Sequence, residues 1–177
     1  MACYNASNWR PMNQTLESQI GSLLRQNRLK LATAESCTGG LIGDRITDIP
    51  GSSDYFIGGV VAYAYDAKVA LLGISWDTLN KYGAVSREAV LEMAEGVHRR
   101  LGADIAISVS GIAGPGGGLP TKPVGTVWAG LVATEGKWAR VFHFSGDRQQ
   151  NKAAAAEAVL QMVYEYLQGK RDLDSQP

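Results

Sequence analysis

Cysteine and histidine are scarce in this chain of 177 residues, which has two of each. Cys3 and Cys37 stand far apart, one near the start of the chain, so no disulfide framework of the kind small secreted domains use is available. His98 and His143 belong to no CxxC, HExxH or similar ligand pattern, which speaks against a metal site. An excess of either charge is missing too: 17 Lys+Arg face 17 Asp+Glu. Such a balance argues against a protein held on nucleic acid or anionic lipid mainly by charge. No apolar run approaches the ~18 residues of a membrane span, and the first residues lack a basic-then-apolar signal pattern. The expectation is a soluble, cytoplasmic, reduced protein with neither nucleic acid nor membrane as partner.

What is present suits a folded domain: 45% of residues are apolar and 19% charged. Leu16, Ile20, Leu23 and Leu24 predict a helix over about Gln14–Asn27. Leu31–Ala34 reads as a buried strand running into Ser36-Cys37-Thr38-Gly39-Gly40, after which Leu41, Ile42, Ile46 and Ile49 restore a helical period, with Ser36 as N-cap. Gly59–Tyr63 reads as a strand, Asp66–Leu72 as a short helix and Ser86 as the cap of a helix through Leu101. Ile105–Val109 is the strongest buried-strand signal. Strands at Gly125–Ala133 and Trp138–Phe144 turn at Glu135-Gly136, and a helix over Ala153–Leu167 follows. These two strands either cover the core or leave an edge for another copy. Strands alternating with helices and then a hairpin predict a single-domain, layered α/β fold: a mixed, mostly parallel sheet with helices packed on it. The domain is expected over residues 13–168, with flexible tails at 1–12 and 169–177.

Three loops have compositions unsuited to merely joining elements, and in open α/β sheets ligands sit where strands end. In Glu35–Gly40 a strand enters a helix through small and hydroxyl residues. That leaves backbone N–H groups for an anion such as phosphate, or else forms an ordinary serine cap with glycines for close packing. GxxxxGK[ST] and GxGxxG are both absent. Gly111–Gly118 holds glycine at 111, 114, 116, 117 and 118, permitting close backbone approach to a ligand or simply a flexible turn. Arg148 follows Phe144-Ser145-Gly146-Asp147 at a helix start, either clamping phosphate or carboxylate or standing in solvent.

With two histidines, one amid a basic helix face and one within a strand, a His-based triad is disfavoured. Lysine is the alternative base, since a partly buried amine beside a tyrosine has a lowered pKa and can deprotonate a serine. Tyr63 and Lys68 lie five positions apart in sequence, and Ser52-Ser53 supply hydroxyls on a turn just before that strand.

Taken together, Ala34–Gly40, Pro50–Ser53, Tyr63–Lys68, Tyr82–Ser86, Ser110–Pro115, Lys122–Val127 and Phe144–Arg148 resemble, in order, the CinA C-terminal domain family of nicotinamide-nucleotide amidohydrolases, in its stand-alone form. The resemblance implies hydrolysis of the carboxamide of nicotinamide mononucleotide to nicotinate mononucleotide and ammonia, in pyridine nucleotide recycling, without metal or redox cofactor. It places the nucleophile on Ser53 and the proton relay on Tyr63 and Lys68, with Ser36 as the rival nucleophile. It places Ser36, Thr38, Gly39 and Gly40 on a phosphate-facing loop, and Gly111, Ala113, Gly114 and Arg148 around the substrate. A homo-oligomer is implied as well, for which a dimer is the expectation. One departure stands out: the family commonly has Tyr-Ser-Asn where this chain has Tyr63-Ala64-Tyr65. The competing class is a non-catalytic nucleotide-binding module of the same family, or an amidase on a related pyridine nucleotide.

Overall fold

The computed structural model describes residues 15–174. The tail expected at 1–12 lies outside the described residues, as does Cys3. In chain order the elements are α1 (Leu16–Asn27), β1 (Leu31–Glu35), α2 (Leu41–Thr47), a 3₁₀ turn (Ser52–Asp54) and β2 (Phe56–Val61). There follow α3 (Tyr65–Ala67) running on as a π-helical turn (Lys68–Leu72), α4 (Trp76–Tyr82), α5 (Arg87–Leu101), β3 (Ile105–Gly111), β4 (Thr126–Ala133), β5 (Gly136–His143) and α6 (Arg148–Leu167).

The strands form one sheet in the order β2-β1-β3-β4-β5. β1 pairs in parallel with β2 and β3, whereas β4 runs antiparallel to both of its neighbours. Four strands therefore point the same way, as the α/β expectation required. β1 sits between two partners and all five of its residues are buried, which accounts for its apolar, non-alternating sequence. Helices cover both faces. Ile20 and Leu24 of α1, Ile42 and Ile46 of α2, and Val159, Leu160 and Val163 of α6 pack on one side against Leu31, Ile105, Ile107 and Val109. Met93 and Val97 of α5, Leu79 of α4 and Leu72 pack on the other against Ala32, Ala34 and Ala106.

The second face is built from small residues because α5 comes very close. Ser108 Oγ donates to the carbonyl of Val90 at 2.5 Å, and a Cβ at Gly130 would stand 2.7 Å from the same oxygen. Farther along α5, Gly96 lies against the π-helical turn that carries Lys68.

Several boundaries differ from the sequence expectation. β2 starts and ends earlier, since it keeps register with β1 from Leu31 opposite Phe56 to Glu35 opposite Val61. Ala62 and Tyr63 leave the sheet. α6 begins at Arg148 rather than Ala153 through a capping box, in which Asp147 accepts from the Gln150 N–H and Gln150 accepts from the Asp147 N–H, both at 2.9 Å. α4 was not anticipated; Ser75 caps it through the Thr78 N–H at 3.0 Å. The segment expected as a loose tail from 169 is docked as far as 174. Leu173 is fully buried, its carbonyl accepts from Arg140, and Asp174 takes the Ala139 N–H of β5 at 2.7 Å. The outer edge of β5 is thereby covered at that point, while Val127, Leu131 and Trp138 serve the core. No described helix is long and apolar enough to cross a membrane.

Candidate active site

The chain leaves β1 at Glu35, and the next residue, Ser36, holds its N–H to the Val109 carbonyl of the neighbouring β3 at 3.0 Å. Ser36 is thus fixed at the carboxyl ends of two parallel strands, where open α/β sheets place their ligands. It is not the N-cap of α2. That position falls to Gly40, whose φ of 100° suits glycine and which has no side chain to cap the helix. The buried carboxylate of Glu35 does the capping instead. Its Oε2 accepts from Thr38 Oγ1 at 2.7 Å, Gly40 N–H at 3.0 Å and Ile42 N–H at 3.1 Å, and its Oε1 from Gly43 N–H at 2.8 Å. A negative group at a helix N-terminus is favoured by the peptide dipoles and the unpaired N–H groups there.

This corrects the expectation of a phosphate-facing loop. The anion at the start of α2 is the chain's own. Thr38 is buried with its hydroxyl on Glu35, Gly40 spends its N–H there, and Gly39 gives its N–H to the Ser36 carbonyl at 3.1 Å.

Opposite Ser36 stands Lys68, on the first residue of the π-helical turn and only 1% exposed. Its Nζ lies 2.9 Å from Ser36 Oγ, 2.7 Å from the Ala62 carbonyl and 3.0 Å from the Tyr63 carbonyl. Those two carbonyls are the ones β2 releases at its end. Burial lowers the amine from its ordinary 10.5 to about 8, with Cys37 pulling the other way. A neutral amine has two N–H bonds and one lone pair. With both N–H bonds on the carbonyls, the lone pair faces the serine hydroxyl. The arrangement is that of a nucleophile with its base.

Ser53 is not part of it. It is exposed in the 3₁₀ turn that precedes β2, and β2 begins beside Leu31 at the start of β1. About 16 Å of strand, at roughly 3.3 Å per residue, separates that end of the sheet from Ser36. Ser53 therefore cannot exchange a proton with Lys68. Tyr63 is beside Lys68, but through its backbone carbonyl. Its phenol points away and accepts from Arg148 Nη2 at 2.7 Å. The other arm of that guanidinium, Nη1, donates to the Gly114 carbonyl at 2.7 Å. Arg148 thus ties the tyrosine to the glycine-rich loop, with one N–H of each arm given to the protein.

Ala113 is likewise structural, its carbonyl accepting from the buried Asn151 at 3.1 Å. At Gly111 a Cβ would stand 2.6 Å from Val127, so glycine there serves the close packing of β3 on β4 while its backbone lines the cleft. That cleft, about 320 Å³, has Ser36, Cys37 and Lys68 at its depth. Tyr63, Tyr65, Leu119 and Lys122 form its outer walls. Sequence reasoning marked Tyr65 only as a departure and gave neither it nor Lys122 a place in the site, although both fall within the resembling segments. Burial pushes the Cys37 thiol up to about 12, which makes it filler rather than a nucleophile.

Fold and site together define a three-layer α/β domain with a buried serine–lysine pair at the strand ends. The model of the CinA C-terminal domain matches residues 13–167, and the chain belongs to that family. It is 51% identical over 154 residues to a putative competence-damage inducible protein of Halothermothrix orenii, covering 86% of this chain and 37% of that one. It is 50% identical over 159 residues to a CinA-like protein of Chlorobium limicola, covering 87% and 37%. The chain thus spans a little over a third of the length of these relatives. Among solved structures it is similar to the competence/damage inducible protein CihA of Agrobacterium tumefaciens, with a TM-score of 0.85, 38% identity, and 92% and 99% of the two chains covered. The competence-damaged protein (CinA) superfamily protein of Klebsiella pneumoniae 700603 also gives a TM-score of 0.85, at 32% identity over 91% and 100%.

Proposed function

We propose that the chain is a metal-independent amidohydrolase that converts nicotinamide mononucleotide to nicotinate mononucleotide and ammonia, with Ser36 as nucleophile and Lys68 as its base. The observation that carries the reading is the 2.9 Å contact between Lys68 Nζ and Ser36 Oγ in a buried setting, with the amine's remaining donors held by two backbone carbonyls. The nucleotide substrate comes from the family resemblance; the chemistry comes from the pair.

As Ser36 Oγ attacks the carboxamide carbon, its proton passes to the neutral Lys68. The resulting ammonium gives that proton to the leaving nitrogen, and the C–N bond breaks to release ammonia. An ester to Ser36 remains. Water, losing its proton to Lys68, attacks the ester carbon, and the returning proton restores the serine as the carboxylate product departs. The sum is amide plus water giving acid plus ammonia, with nothing oxidised or reduced. Tyr63 contributes the carbonyl that aims the amine, and Arg148 holds the tyrosine ring at the cleft wall.

The test is ammonia release from nicotinamide mononucleotide by the unaltered protein and by Ser36→Ala, Lys68→Ala and Ser53→Ala. The first two substitutions should reduce kcat by at least about a thousandfold, and the third should leave it within twofold. Full loss in Ser53→Ala with activity kept in Ser36→Ala would overturn the assignment. Nucleotide binding without any ammonia from the unaltered protein would mark a binding module instead.

A further inference from the structure

One of the sequence's candidate anion sites is already occupied by the protein itself: the start of α2 holds the Glu35 carboxylate. Arg148 gives one N–H from each arm to Tyr63 and Gly114 and is not among the residues lining the cleft. A nucleotide whose carboxamide reaches Ser36 therefore meets its phosphate partner among the cleft's own lining. The depth of the cleft contains Ser36 and Lys68, 7% and 1% exposed, so the other end of such a substrate lies at the mouth.

Besides Lys68, the one cation among the described residues lining the cleft is Lys122. Lys122 closes a tight turn in which Leu119 and Lys122 exchange backbone hydrogen bonds at 2.8 and 3.0 Å, so the tip of the glycine-rich loop is a small fixed hairpin. From it Nζ reaches the Tyr82 carbonyl at 2.7 Å, at the end of α4. One of its three N–H bonds is used, which leaves two for a ligand. No carboxylate is among the residues lining the cleft. Next to Tyr82, Gly83 has a φ of 75°, and the Cβ it lacks would stand 3.7 Å from Lys122 Nζ and 3.9 Å from Tyr65 Oη. The missing side chain leaves a space bordered by an ammonium and a phenol. Tyr65 Oη accepts from the Ala84 N–H at 3.3 Å, so its own hydrogen is free to be donated.

We propose that Lys122, assisted by Tyr65, is the phosphate-recognition point of this cleft, and that its ligand is a phosphate monoester. This rests on the reading of the cleft as a nucleotide site but not on the deamidation step. The carbonyl end of a helix repels anions, so the mouth without its lysine would disfavour the phosphate that it now attracts. The charge of Lys122 therefore decides between a phosphorylated ligand and its dephosphorylated counterpart.

The test uses Ser36→Ala protein, which holds substrate without turnover, titrated calorimetrically with nicotinamide mononucleotide, nicotinamide riboside and ribose 5-phosphate. Lys122→Gln keeps a neutral N–H donor on a shorter side chain and removes the charge; Lys122→Arg returns the charge. Lys122→Gln should weaken the mononucleotide and ribose 5-phosphate about tenfold or more and leave the riboside within twofold, with Lys122→Arg recovering most of the loss. Equal weakening of riboside and mononucleotide, no weakening of either, or no binding of either phosphate overturns the proposal. Ribose 5-phosphate bound in a Lys122-dependent way by a protein that releases no ammonia would sustain the phosphate site and refute the deamidase. Ammonia release with an unaltered preference in Lys122→Gln would do the reverse.

Discussion

Gly96 of α5 lies so close beneath the Leu72 carbonyl that a methyl group at position 96 would stand 1.9 Å from that oxygen. Leu72 ends the π-helical turn that Lys68 begins, so α5 is the surface on which the turn carrying Lys68 is seated. Gly96→Ala should push the turn outward, costing about 1–3 kcal/mol of stability and carrying Nζ away from Ser36. The expected result is a lower Tm together with a kcat deficit that persists at temperatures where the variant is fully folded. Unchanged kcat in a folded Gly96→Ala protein would show that the turn is not held from this side.

The lowered pKa of Lys68 sets a pH profile. In the proposed mechanism the active form is the neutral amine, so kcat/KM should rise with pH, roughly tenfold per unit below about 8, and level off above it. The sign for stability is the same. The unfolded chain binds this proton up to 10.5 and the folded chain only to about 8, so the penalty of a buried ammonium is full below 8, fades as pH rises, and is absent above 10.5. Kinetics across pH 6–9.5 and denaturant midpoints across pH 7–10.5 check the two halves separately.

Glu35→Gln retains size and removes the acceptor-only character of the side chain. An amide cannot accept from Thr38, Gly40, Ile42 and Gly43 without turning an N–H toward other donors. A loss of about 2 kcal/mol is expected by chemical denaturation. Because Glu35 directly precedes Ser36, kcat should fall more than KM rises.

Burial and a thiol pKa near 12 make Cys37 unreactive in the folded state. Iodoacetamide at neutral pH, followed by peptide mapping, should label Cys37 only after denaturant is added. Cys37→Ala should keep turnover within a few-fold, whereas loss equal to that of Ser36→Ala would make the thiol a participant.

The layered fold could be read from the sequence because its strongest signals are local. The apolar run at Ile105–Val109, the Ser86 cap and the Leu16-to-Leu24 spacing each depend on a few neighbouring residues. α4 escaped because seven residues make too few turns for a period to show, although Ser75 marks its start. The error at Ser53 was one of topology. Ser52-Ser53 and Tyr63 flank the same strand, but a parallel strand carries its two flanks to opposite ends of the sheet. Ser36 follows its strand, as Lys68 follows β2, and the rule that ligands gather past the carboxyl ends of parallel strands pointed to that pair. Glu35 was missed because an acidic residue closing a buried strand reads as the strand's end, and only coordinates show its side chain turning onto the helix ahead.

Glu35 also bears on how the site responds to dissolved salts. A helix end that takes its counter-ion from solution is sensitive to whatever phosphate or sulfate the medium supplies, and shifts as that ion comes and goes. Here the counter-ion is tethered by the backbone itself, at an effective concentration that no buffer salt can rival. The backbone that carries the neighbouring serine is therefore anchored by a counter-ion that no change of buffer removes.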